Sequence, residues 1–141
     1  MNQSRGDEIQ IRPARPDDLP AVIELLRPYI EAGRLLPRAE DEAPELLENG
    51  FVAETAGRIV GFAALDVYCQ KLAEIRSLAV ASEFQGSGIG RRLVEACVER
   101  ARQLRVREVM AITSADGFFK SCGFDFALPG ERKALFIQTN G

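Results

Sequence analysis

Apolar and polar positions alternate in Ala73-Glu-Ile-Arg-Ser-Leu-Ala-Val80, and this period of two predicts a strand. It carries Glu74, Arg76, Leu78 and Val80 on one face and Ile75, Ser77 and Ala79 on the other. Past a glycine-rich stretch the period changes: Ile89, Leu93, Cys97, Ala101 and Leu104 recur at the spacing of one helical face. The same reading applied from the start predicts a strand over 9–14, then a helix carrying Leu19, Val22, Ile23 and Leu26. Pro28 is expected to bend or end that helix, because proline lacks the N–H that the preceding turn would accept. A loop over 32–38 and an acidic helix over 40–47 follow, and then two strands, 51–54 and 59–67, joined by Thr55-Ala-Gly-Arg58 as a hairpin. Beyond the long helix, 107–113 reads as a strand, 115–122 as a short helix, and 123–126 and 133–138 as strands. The order βααββ, βα, βα, β is a mixed α/β layout without repeat or linker. It predicts a flexible N-terminus over 1–8 and one domain over 9–141.

The junction between the alternating strand and the long helix carries chemistry. Gly86, Gly88 and Gly90 fall within five residues, where the first turn of a helix leaves backbone N–H groups without partners and presents the positive end of its dipole. That makes an anion site, and glycines let the backbone close on a phosphate, with Arg91 and Arg92 placed to add charge. The P-loop is excluded, since Arg-Arg and not Lys-Ser/Thr follows the last glycine. The dinucleotide fingerprint is excluded too, since Arg91 stands in its final place.

Gln85-Gly-Ser-Gly-Ile-Gly90 instead resembles the Q/R-x-x-G-x-G/A pyrophosphate loop of the GNAT superfamily of acyl-CoA-dependent N-acyltransferases, at Gln85, Gly88 and Gly90. The resemblance implies a twisted mixed sheet of six or seven strands flanked by about four helices, with acetyl-CoA as donor wedged where the fourth and fifth strands splay. The cofactor-binding positions it implies are Leu78, Ala79, Val80, Gln85, Gly86, Ser87, Gly88, Ile89, Gly90, Arg91 and Phe119.

Composition narrows the chemistry further. A net charge of −3 argues against nonspecific nucleic-acid binding. No apolar run approaches transmembrane length and the opening octapeptide is no signal peptide, so a cytoplasmic protein is expected. Cys69, Cys97 and Cys122 are odd in number and widely spaced, which supports neither a disulfide framework nor a metal site. Histidine is absent, so acid-base chemistry must rest on carboxylates, hydroxyls or water.

Leu72–Val80, Phe118-Phe-Lys-Ser-Cys-Gly-Phe124 and Gly33-Arg-Leu-Leu-Pro-Arg-Ala-Glu40 are together similar to the acetyltransferase domain of N-acetylglutamate synthases, which acetylate the α-amine of glutamate. The resemblance implies Glu74 as general base, the Leu78 backbone N–H as oxyanion donor, Thr113 as a hydroxyl aiding proton transfer, and Arg38, with Arg76, as substrate-carboxylate contacts. Against the first role stands a plain ion pair of Glu74 with Arg76. The sequence departs from that family in carrying no amino-acid-kinase-like domain, and from many GNAT members in placing Phe119 where they use a tyrosine as proton donor. It departs also in a short C-terminal stretch, Leu128–Ile137, the region in which those synthases place further basic residues for substrate and for which Arg132 and Lys133 are the candidate substitutes. Acetylation of another small amine or a protein N-terminus, or a non-catalytic acyl-CoA-sensing module that binds a partner protein, remains open, as does a monomer or homodimer.

Overall fold

The computed structural model describes residues 8–33, 43–113, 115–125, 135 and 137. Their strands are β1 (Gln10–Pro13), β2 (Phe51–Thr55), β3 (Arg58–Val67), β4 (Leu72–Val80) and β5 (Glu108–Met110). The helices are α1 (Leu19–Glu31), α2 (Ala43–Leu46), α3 (Ile89–Gln103) and α4 (Asp116–Ser121). One sheet runs in the order β1-β2-β3-β4-β5, antiparallel through β4 and parallel between β4 and β5. This is the expected mixed architecture, with five strands among the described residues where six or seven were expected. Positions 123–125 form a turn and irregular chain, and the strand expected at 133–138 falls almost wholly outside the described residues.

Each sheet face has its own core. Val22, Leu26, Leu46 and Leu47 meet Val52, Phe62, Ala64 and Ala79 on one face. On the other, Ile89, Leu93, Val94, Cys97 and Ala101 of α3 meet Ala53, Val60, Ala63, Leu65, Ala73 and Ile75. Burying an Ile, Leu or Val side chain stabilises by about 1.5–3 kcal/mol, so packing rather than helix propensity holds α3 in place. Gly61 lets the two layers approach. A Cβ there would stand 3.0 Å from Leu93 and 3.1 Å from Ile89.

Three local expectations are corrected. Of the two effects expected at Pro28, an end does not occur, since helix α1 runs through it to Glu31. The missing N–H removes only the bond to the Glu24 carbonyl, and the Pro28 carbonyl still accepts from Ala32 at 3.0 Å. The strand expected over 107–113 is regular only at Glu108–Met110. The face assignment along β4 also fails midway. Phe62 pairs with Ala79 but Ala64 with Arg76, so two steps on β3 oppose three on β4, and Ser77 takes φ 58°. This is a bulge. It moves Leu78 and Val80 to the Ile75 side, against the α3 core, and leaves Ala79 on the face of Glu74 and Arg76.

Candidate active site at the parting of β4 and β5

Strands β4 and β5 pair at only three positions, Leu72 with Glu108, Ala73 with Val109 and Glu74 with Met110. From Ile75 to Val80 the β4 edge has no β5 partner among the described residues, which opens a wedge with the bulge at Ser77 alongside it. Glu74 therefore sits at the vertex. The wedge leads along β4 to the glycine loop.

That loop begins with a 3₁₀ turn at Ser82–Phe84. Gly86 and Gly88 take φ of 82° and 87°, a region side chains disfavour. Gly88 is the N-cap of α3, and no side chain caps the helix. The Ser87 hydroxyl, which stands nearby, donates to the Phe84 carbonyl instead. The first-turn N–H groups and the positive dipole end thus remain for a ligand, and this fits the pyrophosphate of acetyl-CoA. Gly90 lies against the Phe118 ring, 3.4 Å from where a Cβ would stand.

The other cofactor candidates divide between loop and core. Gln85 Nε2 donates to Tyr29 Oη at 2.6 Å and to the Val80 carbonyl at 3.1 Å, and Tyr29 donates to the same carbonyl. Gln85 is exposed and shapes the loop through these bonds. Arg91 donates to the Ser121 carbonyl at 2.7 Å, which ties α4 to α3, and Arg92 reaches the Ile9 carbonyl at 3.1 Å. Ile89 and Ala79 are buried, one in each core, and Leu78 and Val80 are half-buried on the α3 side. Phe119 is buried between Phe118 and Phe124, with edge contacts at centroid distances of 5.1 and 5.3 Å.

At the vertex Glu74 is 8% exposed, and it faces Asp66 across the strand pair. Two carboxylates directly opposite repel each other unless each has a partner. Arg76 takes Asp66 at 3.1 Å, and Tyr68 Oη donates to Glu74 Oε1 at 2.5 Å. The simple Glu74–Arg76 pair is therefore not the arrangement adopted. Arg76 has its pKa raised: burial opposes the charge, but the bond to Asp66 and the nearby carboxylates outweigh it. Tyr68 is 53% exposed overall, yet its hydroxyl end is turned inward. Burial of that end, the Glu74 hydrogen bond and the charges of Glu74 and Asp66 push the phenol up to about 12.

Tyr68 is the functional candidate that sequence reading misses. Its signal lies in the hairpin geometry: Tyr68 N–H bonds the Leu72 carbonyl, which puts residue 68 diagonal to residue 74, within reach of a long side chain. Thr113 is exposed and accepts from the Ala115 N–H at 2.8 Å, a local turn contact. Arg38, Arg132 and Lys133 lie outside the described residues.

A cavity of about 820 Å³ opens on the α1 side, lined by Leu25, Tyr29, Arg58, Ile59, Glu83 and Gln85 among others. It borders the glycine loop, but its lining contains neither Glu74 nor any β5 residue. Among the described residues no His, Cys, Asp and Glu cluster could hold a metal, and no helix is long and apolar enough to cross a membrane.

Residues 19–124 match the acetyltransferase (GNAT) family. An uncharacterised N-acetyltransferase of Chlorobaculum tepidum is 40% identical over 114 residues, covering 81% of this chain and 74% of that protein. An amino-acid acetyltransferase of Aeromonas salmonicida is 32% identical over 135 residues, 90% of this chain but only 30% of that longer protein. Among solved structures, the N-acetylglutamate synthase of Neisseria gonorrhoeae complexed with coenzyme A and N-acetyl-glutamate superposes with a TM-score of 0.73 at 29% identity, over 80% of this chain and 27% of that one.

Proposed function

The chain belongs to the acetyltransferase (GNAT) family and is an acetyl-CoA-dependent N-acetyltransferase, and we propose that its acceptor is the α-amine of glutamate or a similar amino acid. The observation that carries the mechanism is Glu74, a buried carboxylate at the point where β4 and β5 part. Bound acetyl-CoA supplies an activated thioester carbon. The chain must then hold it, remove a proton from the acceptor and steady developing charge.

Holding is assigned to the loop 85–91, through the N–H groups of the uncapped α3 start. An ammonium is not a nucleophile at neutral pH, so a base must take a proton before the amine attacks. Glu74 is assigned that role, helped by the absence of histidine from the chain. The Leu78 N–H, just past the bulged Ser77, is assigned to the oxyanion. Arg76, on the Glu74 face, and Arg38 are assigned to the acceptor's carboxylates, which suit a planar guanidinium fork. The names of the amino-acid acetyltransferase and N-acetylglutamate synthase relatives support the choice of acceptor.

Thiol release from acetyl-CoA, measured with the twenty amino acids and several polyamines, tests the reading. Glutamate-dependent turnover is expected, and Glu74→Gln should lower kcat by about 10²-fold at neutral pH. Turnover confined to another amine would discard the acceptor. An unchanged rate in Glu74→Gln would remove the base.

A further inference from the structure

A carboxylate that is to take a proton from an incoming ammonium must stay charged while buried, and burial alone favours its neutral form. Glu74 meets this problem in an unfavourable setting. Among the described residues the charged groups facing it are Asp66, directly across on β3, and Arg76, two residues along β4. Arg76 is engaged by Asp66 at 3.1 Å, and β5 brings only Met110 to the Glu74 position. Among the described residues, the side-chain hydrogen bond to Glu74 comes from the phenol of Tyr68 at 2.5 Å.

We propose that Tyr68 is a positioning residue for the base, its phenol fixing the Glu74 side chain and keeping it a carboxylate until the acceptor arrives. The inference rests on the assignment of Glu74 as base. A phenol suits this task better than a second cation, because it donates a hydrogen bond without introducing a charge that would repel the ammonium. In the step itself an N–H bond of the acceptor breaks, an O–H bond forms on Glu74, and the electron pair stays on nitrogen. The Tyr68 O–H is not broken. Its place at the end of the β3–β4 hairpin matters as well, since the backbone bond between Tyr68 N–H and the Leu72 carbonyl at 3.0 Å holds the ring root beside the base.

Tyr68→Phe keeps the ring and removes only the donor. The full chain carrying this change should show kcat about tenfold lower, KM for acetyl-CoA unchanged, and the acid limb of its pH–rate profile moved from where the parent has it. A structural role alone would leave the limb where the parent has it, and that result would overturn the proposal. Glu74→Gln is assayed alongside: if it is slow while the Tyr68→Phe limb is unmoved, the positioning role falls and the base survives. If Glu74→Gln runs at the parent rate, the base itself falls. A second readout is independent of turnover. The chain has two tyrosines, so in a Tyr29→Phe background tyrosinate absorbance reports Tyr68 alone. Adding Glu74→Gln should bring its midpoint down from about 12 by about one unit; an unmoved midpoint would show that the pair is not coupled in solution and overturn the proposal.

Discussion

Asp18 is the residue on which the entry to α1 depends. Arg12 reaches from β1 to hold both its oxygens, Nη1 to Oδ2 at 2.9 Å and Nη2 to Oδ1 at 3.0 Å, while Nε bonds Glu54 on β2 at 2.8 Å. The Arg15 N–H adds a bond at 2.7 Å. Both side chains of the fork are about nine-tenths buried, so the pair is of the kind whose disruption leaves an uncompensated charge. The Arg12 bond, with the Arg15 N–H behind it, holds the Asp18 carboxyl below its ordinary value of 3.8 against the opposing effect of burial. A carboxyl depressed in the folded state stabilises fully above its unfolded pKa, and this contribution is lost as pH falls through the folded pKa. Unfolding free energy from urea titrations should thus begin to fall as the pH drops below about 4. Asp18→Ala should cost about 3 kcal/mol at pH 7 and flatten that decline. An acid profile identical to the parent's would show that the fork contributes nothing.

Among the elements, α3 carries both the candidate anion site at its start and a strained ending. Val106 N–H bonds the Ala101 carbonyl at 2.9 Å and Arg105 N–H the Arg102 carbonyl at 3.0 Å, the two bonds of a Schellman termination. The residue turned left-handed in it is Arg105, at φ 62°, where glycine has no steric penalty. Arg105 is exposed, so Arg105→Gly should stabilise by about 1 kcal/mol and raise Tm by about 3 °C; a lowered Tm would mean that the arginine makes a compensating contact. The start and body of α3 were legible because Ile89, Leu93, Cys97 and Ala101 recur at helical spacing and all are buried. The β2–β3 hairpin was legible from its turn, where Ala56 and Gly57 take φ of 50° and 77°. The bulge in β4 was not. Alternation counts residues along one strand, whereas a bulge is a miscount between two, and only the pairing of Ala64 with Arg76 reveals it. The placing of Glu74 on β4 and of the glycine loop before α3 could be read because each lies within a continuous motif. The Tyr68–Glu74 contact could not, because it depends on a diagonal across a hairpin.

At the scale of the molecule the sheet lies between α1 and α3, and among the described residues α1 reaches the loop that opens α3 around the end of the sheet. The C-terminal end of β4 is that meeting point. There Tyr29, from the last turns of α1, donates to the Val80 carbonyl and accepts from Gln85, fifty-six residues on in the loop that opens α3. Gln85 donates to the same carbonyl at 3.1 Å. The glycine loop is therefore held from the opposite face of the sheet, while Glu74, the proposed base, lies toward the other end of β4. The two should come apart on mutation. Tyr29→Phe keeps the packing of the ring but removes both polar contacts, and the loss of about 1 kcal/mol of hydrogen bonding would weaken CoA binding by about fivefold. Titration calorimetry with CoA reads this directly, and kcat at saturating acetyl-CoA should stay within about twofold of the parent, because Glu74 and Tyr68 are untouched. Parent-like affinity would show that the loop holds its shape through Gly86 and Gly88 alone, and a large loss of kcat with unchanged affinity would place Tyr29 in the chemistry and not in the support of the loop.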